Sequence, residues 1–198
     1  MSQGDIDDFI ESVQYGTTTP TCVTAAVVTR GIPVSGRHYW GCTALHWAVC
    51  LERCDVVVAL LAAGANPNVK NDDGVTSAWW GAYYSTMDIL QLLIDGGGSV
   101  NEPSNLGLTP LITLTKNNFG NAAARLQVLL RCPELDLDAI YDGKMAQEWA
   151  VRRGHPELAA VIAEERRRRE RWSTVRCAWV AATVCSSRYS TPYFHTLS

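Results

Sequence analysis

A 33-residue interval separates Gly41 and Thr43 from Gly74 and Thr76, and the same interval leads on to Gly107 and Thr109. A chain with a period of that length is built from stacked copies of one small unit, because no single copy can bury its own apolar flank. The residues between the anchors keep the same beat. Val56, Val57, Leu60 and Leu61 are matched 33 positions later by Ile89, Leu90, Leu93 and Ile94. Both sets have the spacing of one helical stripe. A second helical stretch starts just after each Thr, as in Leu45, Trp47 and Ala48. A turn bearing Gly64, Asn66 and Asn68, and again Gly97 and Asn101, follows the longer helix. One unit is therefore two short helices and a glycine-bearing turn.

The stretch Thr43-Ala44-Leu45-His46-Trp47-Ala48, followed by Leu60-Leu61-Ala62-Ala63-Gly64-Ala65-Asn66-Pro67-Asn68, resembles the ankyrin repeat, whose first helix opens on a T-P-L-H-x-A pattern. Thr109-Pro110-Leu111 and Gly154-His155-Pro156-Glu157-Leu158 match two further stretches of that pattern. The resemblance implies an all-α solenoid of helix-turn-helix units over residues 5–165, with repeats near 5–37, 38–70, 71–103, 104–139 and 140–165. The fourth unit carries about three extra residues near 117–121, since Gly107 and Gly143 are 36 apart. A basic, then amphipathic, C-terminal helix is expected over 166–185, and a flexible tail over 186–198. The pattern histidine, His46, is replaced by Trp79, Ile112 and Glu148 in the later units. Irregular packing is expected there.

Composition agrees with a folded chain: 198 residues, 47% hydrophobic, are enough for a core. The start, Met1-Ser2-Gln3-Gly4-Asp5, has no apolar run of the kind a signal peptide needs. The apolar stretch Cys177 to Cys185 is nine residues, too short to cross a bilayer. Seven cysteines without paired spacing fit reduced thiols, and with them a cytoplasmic or nuclear setting. His46, Cys50 and Cys54 are spaced for one helix face. Helix α-type order should end near Glu52, though, and structural zinc prefers four ligands, so no metal and no cofactor is assigned.

Charge is distributed unevenly, with 8 Lys+Arg against 16 Asp+Glu in residues 1–151 and 9 against 4 in 152–198. An acidic array repels nucleic acid over most of its surface. The run Arg166 to Arg169 sweeps round a helix and is read as solvated rather than as an import signal, supported by Glu164–Arg168 and Glu165–Arg169 pairs. Trp172, Val175 and Trp179 form a stripe that is expected either to fold back as a cap on the last repeat, the favoured reading, or to dock in a partner's groove.

Catalytic signatures are missing: there is no G-x-S-x-G, no G-x-x-x-x-G-K and no H-E-x-x-H. Gly96-Gly97-Gly98 belongs to a helix-ending turn rather than a phosphate loop. The reading is thus a non-catalytic scaffold that binds another protein, with no small-molecule substrate, and is monomeric when free. An adaptor for ubiquitin machinery, or a substrate of asparagine hydroxylation at Asn68 and Asn101, are the alternatives. By the resemblance, partners are held by the turn tips and the open side of each first helix. That implies Tyr39, Trp40 and Cys42; Asp72, Asp73 and Val75; Asn105, Leu106 and Leu108; and Tyr141 and Lys144 at the tips. From the first helices it implies Leu51, Tyr83, Tyr84, Lys116, Arg152 and Arg153, while Trp79 and Trp80 are assigned to packing.

Overall fold

The computed structural model of the chain describes the backbone of residues 2–117 and 120–187, with side chains as far as residue 172. Among the described residues, ten α-helices follow one another in pairs. Helix α1 (Gln3–Gln14) pairs with α2 (Pro20–Thr24), which runs on as a π turn over Ala25–Thr29; α3 (Ala44–Cys50) pairs with α4 (Cys54–Ala62), and α5 (Ser77–Tyr84) with α6 (Met87–Asp95). Helix α7 (Pro110–Asn117) pairs with α8 (Ala122–Leu130), and α9 (Ala146–Arg152) with α10 (Pro156–Ser187). First helices pack on first helices along the stack, α1 on α3, α5, α7 and α9 in turn, and second helices do the same from α2 to α10. The result is two helical layers, an all-α solenoid.

The anchors of the 33-residue period act at the helix ends. The hydroxyls of Thr43, Thr76 and Thr109 accept the backbone N–H of His46 (3.4 Å), Trp79 (3.2 Å) and Ile112 (3.3 Å), satisfying a donor that the first turn leaves without an intrahelical partner. At the other end Gly97 takes φ +87°, and Gly97 and Gly98 N–H groups close on the carbonyls of Ile94 (2.9 Å) and Leu93 (2.8 Å). A side chain at φ +87° would be strained, so glycine stands where the helix must stop.

The doubled apolar stripe also has a physical reason. Every inner helix has a neighbour on both sides, so it needs two adjacent dry faces. In α6, Ile89 and Leu93 join the core built with α1 to α4, whereas Leu90 joins the core built with α7 to α10. Helix α1 ends the stack and has one buried face, Phe9, Ile10 and Val13.

Between pairs the chain turns back through hairpin-like tips, closed by His38 N–H to Cys42 O (2.9 Å), Asn71 N–H to Val75 O (3.0 Å) and Ser104 N–H to Leu108 O (3.0 Å). The last tip is a true hairpin of two-residue strands, β1 (Ile140–Tyr141) and β2 (Lys144–Met145), which the sequence reading did not anticipate. Asp142 and Gly143 both have positive φ, 50° and 68°, the combination a two-residue turn matching strand twist requires. Adjacent tips are tied by Asp72 N–H to Trp40 O (2.9 Å) and Asn105 N–H to Asp73 O (2.9 Å). At Gly74 a Cβ would lie 2.7 Å from Asn105 N, so the tips can approach only because that position is bare.

The C-terminal end departs from expectation. Residues 166–185 are not a separate helix but continue α10 from Pro156. The arginine run does not simply project into water. Arg169 reaches the carbonyls of Leu135 (2.7 Å), Cys132 (2.9 Å) and Pro133 (3.2 Å), and Arg166 reaches Leu137 O (2.9 Å) and the Asp138 carboxylate (2.6 Å). A run that sweeps most of the way round a helix must return two members to the packed face, and a guanidinium there can hold several carbonyls at once. Glu165 pairs with Arg169 as expected and also with Arg168, while Glu164 pairs with Arg167 and Arg171 instead of Arg168. The side chains of Val175 and Trp179, and the tail beyond Ser187, lie outside the described residues. Trp172, the first member of the expected capping stripe, is 68% exposed.

Leu60 and Leu93 are fully buried in this stack. Leu60→Ala or Leu93→Ala should each lower unfolding free energy by about 2–5 kcal/mol, read from urea titration.

Candidate functional site

The open side of the first helices and the tips above them form one face, and its most distinctive feature is a chain of aromatic rings. Trp40 on the tip lies 6.2 Å from Trp47 of α3, which lies 6.4 Å from Trp80 of α5, centroid to centroid. From Trp80 the row continues to Tyr84 (6.2 Å), then Tyr83 (5.2 Å), then Trp79 (5.4 Å). Three of the five expected aromatics, Trp40, Tyr83 and Tyr84, are thereby connected. The links are Trp47 and Trp80, both of which also pack against the core, as expected of Trp80. The i, i+4 spacing of Trp80–Tyr84 and Trp79–Tyr83 was the available signal. Tyr39 stands beside the row, stacked on His38 at 4.0 Å.

Trp40 has φ 56° and ψ 23°, the left-handed region, and the residue is 67% exposed. The equivalent turn in the last tip uses Asp142, a residue that tolerates this conformation. A bulky residue there costs on the order of 1–2 kcal/mol. Neither exposure nor packing against Trp47 alone requires that expense.

The other tip residues divide by register. Positions 42, 75 and 108, equivalent through the period, all point inward: Cys42 and Val75 are buried, and Leu108 is half-buried against the core. Val75 is therefore withdrawn as a contact residue, because the chain emerging from the Gly74 turn directs it into the core. Its N–H is taken by Asn71 Oδ1 (2.9 Å) and its carbonyl by His46. An apolar residue recurring at every tip was a core signal. Asp72, Asp73, Asn105 and Leu106 are exposed. Asp72 pairs with Arg37 (3.2 Å), and Asn105 Nδ2 donates to Asp72 O (2.8 Å), so these two also brace neighbouring tips. Leu51 is exposed at the end of α3. Tyr84 is half-buried, and burial together with a hydrogen bond to Cys50 pushes its hydroxyl far above the ordinary tyrosine range.

Lys116, Tyr141 and Lys144 are half-buried and Arg152 and Arg153 exposed, all gathered at Trp149. Asn68 and Asn101 lie on the opposite edge, where each amide bridges two units. Asn68 donates to Gly97 O (2.8 Å) and accepts from Ser99 N–H (2.7 Å); Asn101 donates to Glu134 O (2.6 Å) and accepts from Asp136 N–H (2.9 Å).

His46 is fully buried and does two jobs. Its Nδ1 accepts from Thr43 N–H (3.1 Å), which leaves the proton of the neutral ring on Nε2, donating to Val75 O (3.1 Å). Both ring nitrogens are thus committed, and among the described residues no three potential metal ligands cluster. Where later units lack the histidine, the two jobs are split. Trp79 Nε1 donates to Leu108 O (2.8 Å), the same inter-unit bond, and Glu148 accepts Met145 N–H (2.8 Å), the same capping bond. Trp79 and Glu148 each replace one of the two contacts, whereas Ile112, with no polar side-chain atom, replaces neither.

These helix pairs define a tandem-repeat protein of the helix-turn-helix solenoid class. Residues 40–72 match the family model of the ankyrin repeat, and the units stacked on either side of that stretch have the same helix-turn-helix build. It is 40% identical over 85 residues to an ankyrin repeat protein of fowlpox virus, covering 40% of this chain and 25% of that one. It is 30% identical over 114 residues to the SMC5-SMC6 complex localization factor protein 1 of Bos taurus, covering 57% and 10%. An ankyrin repeat-containing protein of Schizosaccharomyces pombe is 33% identical over 64 residues, covering 32% and 31%. The chain spans a tenth to about a third of these relatives. Ankyrin repeats are typically non-catalytic and generally mediate protein–protein interaction. No helix among the described residues is long and apolar enough to cross a membrane.

Burial holds the pKa of His46 down to about 4, from an ordinary 6.5. The unfolded chain binds that proton more readily, so stability should be full above about pH 6.5 and fall as pH drops towards 4. The loss below that window should be on the order of 3 kcal/mol. The pH dependence of the urea midpoint checks this, and in His46→Gln the slope over the window should flatten.

Proposed function

We propose that the chain is a non-catalytic docking module that holds a partner protein along the face lined by the first helices and their tips. The observation that carries this reading is the unbroken aromatic row from Trp40 to Trp79, on a surface whose neighbouring tips are tied together by backbone hydrogen bonds. Tryptophan and tyrosine supply large contact area for little loss of rotamer freedom, and they often dominate interface energy. A face fixed before the partner arrives spends less ordering entropy on binding. Strain held at Trp40 supports the same reading: its carbonyl ties the next tip through Asp72 N–H, a bond that any residue at that turn could make, and the exposed indole is left for contact.

The setting proposed is a reducing one, cytoplasmic or nuclear, because the five described cysteines are all free thiols. Hydroxylation of Asn68 or Asn101 finds less support, since both amides are occupied between units in the folded chain.

A purified partner, first identified by affinity capture, tests the reading. Trp40→Asn should raise stability by up to about 1 kcal/mol through release of backbone strain, yet weaken binding roughly 30-fold. Tyr83→Ala should weaken binding as well. Val58→Ser, on α4 in the other layer, should leave it unchanged. Full binding by both Trp40→Asn and Tyr83→Ala would overturn the proposal.

A further inference from the structure

One register position of the first helices changes character along the stack. Through the period, Cys50 of α3 corresponds to Tyr83 of α5, Lys116 of α7 and Arg152 of α9. The face that begins as aromatic therefore ends as cationic. Lys116 Nζ lies 4.5 Å from the ring centre of Tyr141 and 5.1 Å from that of Trp149. Lys144 at 5.7 Å, Arg152 at 5.7 Å and Arg153 at 5.9 Å converge on the same indole.

None of these four cations belongs to an ion pair among the described residues, unlike Arg37 with Asp72, Lys70 with Glu102 or Arg166 with Asp138. Glu148 lies beside Lys144 and Arg152 with its carboxylate accepting Met145 N–H (2.8 Å), one acid among four cations, and Lys144 meets Asp142 through its carbonyl (3.4 Å). Four like charges held round one ring repel each other, and the ring's quadrupole offsets only part of that. An incoming anion relieves the repulsion. Residues 1–151 hold 16 acids against 8 bases and residues 152–198 hold 4 against 9, so this cluster lies where the chain changes from acidic to basic. Such a local reversal selects a partner by charge and orients it.

We infer that this end of the face binds an acidic segment of the partner protein, glutamate- or aspartate-rich, while the aromatic row takes an apolar stretch of the same segment. The inference rests on the docking reading and gives it a direction: apolar contacts against α3 and α5, carboxylates against α7 and α9. A polynucleotide, anionic along its whole length, would meet the carboxylates of Asp72 and Asp73 on the rest of the face, where the apolar stretch of a peptide brings no charge.

The test uses the full chain and fluorescein-labelled short peptides, read by anisotropy. A glutamate-rich peptide should bind, more weakly as salt rises, and its glutamine counterpart should bind at least about ten-fold more weakly. Lys116→Gln combined with Arg152→Gln should lower affinity for the glutamate peptide about ten-fold without moving the thermal melt. Lys70→Gln, which removes a paired cation, should not lower it. Equal binding of the two peptides, unchanged binding by the double variant, displacement by inorganic phosphate alone, or preference for oligothymidine would each overturn the inference. If those results came while Trp40→Asn and Tyr83→Ala still lost the purified partner, the docking reading would stand and this extension would fail. Loss of peptide binding in the double variant, with the partner still held by the aromatic variants, would separate them the other way.

Discussion

Each inner helix pair has two apolar flanks and can be dry only between two neighbours. Everything else in the molecule follows from that demand. It explains why Ile89 and Leu93 look one way along the stack while Leu90 looks the other, and why α6 joins two cores into one continuous body. It also makes the ends special. Helix α1 closes one end by having a single apolar face beside Asp7 and Glu11, which hold His38 of the next tip (2.8 and 3.5 Å). At the other end α10 lays Leu158, Ala159 and Ile162 on the last pair, and Arg166 and Arg169 collect the carbonyls that the 130s segment leaves over.

Stacking brings polar groups together at fixed intervals, and the chain satisfies them with whatever side chain reaches. Separation of the donor and acceptor is nearly constant: His46 to Val75 and Trp79 to Leu108 are both 29 residues apart. An imidazole and an indole present an N–H at similar reach from the helix, so the inter-unit bond survives the exchange. Only histidine adds the acceptor that caps its own helix, and Glu148 restores that half alone. The second core is thus held without any buried titrating ring, and pH sensitivity of this kind is confined to the His46 unit.

Period and helix stripes made the pairing, the two layers and the core legible in the sequence, because those depend on residues a few positions apart. What escaped it depends on neighbours a full repeat away. Trp80 and Trp47 sit on different helices, and their contact exists only once α3 and α5 are side by side. The inward turn of Arg169 depends on carbonyls 34 to 39 residues earlier. Val75 differs for another reason: its place at a tip suggests exposure, but an apolar residue recurs at 42, 75 and 108 because that position turns into the core. Left-handed Trp40 could not be seen at all, since the same turn is made elsewhere with Asp142 and nothing local to Tyr39-Trp40-Gly41 announces it.

Surface character, in contrast to the core, is free to drift from unit to unit, because side chains on the open face are not needed by the neighbour. Residues that drift in one direction make a gradient, and here the gradient runs from rings to cations. Rings and cations respond to different properties of a ligand. Aromatic contact depends on shape and is nearly indifferent to salt, whereas the cation cluster acts at a distance and is screened over about 8–10 Å at physiological salt. A segment carrying both features would be drawn to the α7–α9 end first and seated on the α3–α5 end afterwards, and one carrying either alone could lie in two directions. Specificity on such a face arises from the order of the features along it more than from the strength of any one contact.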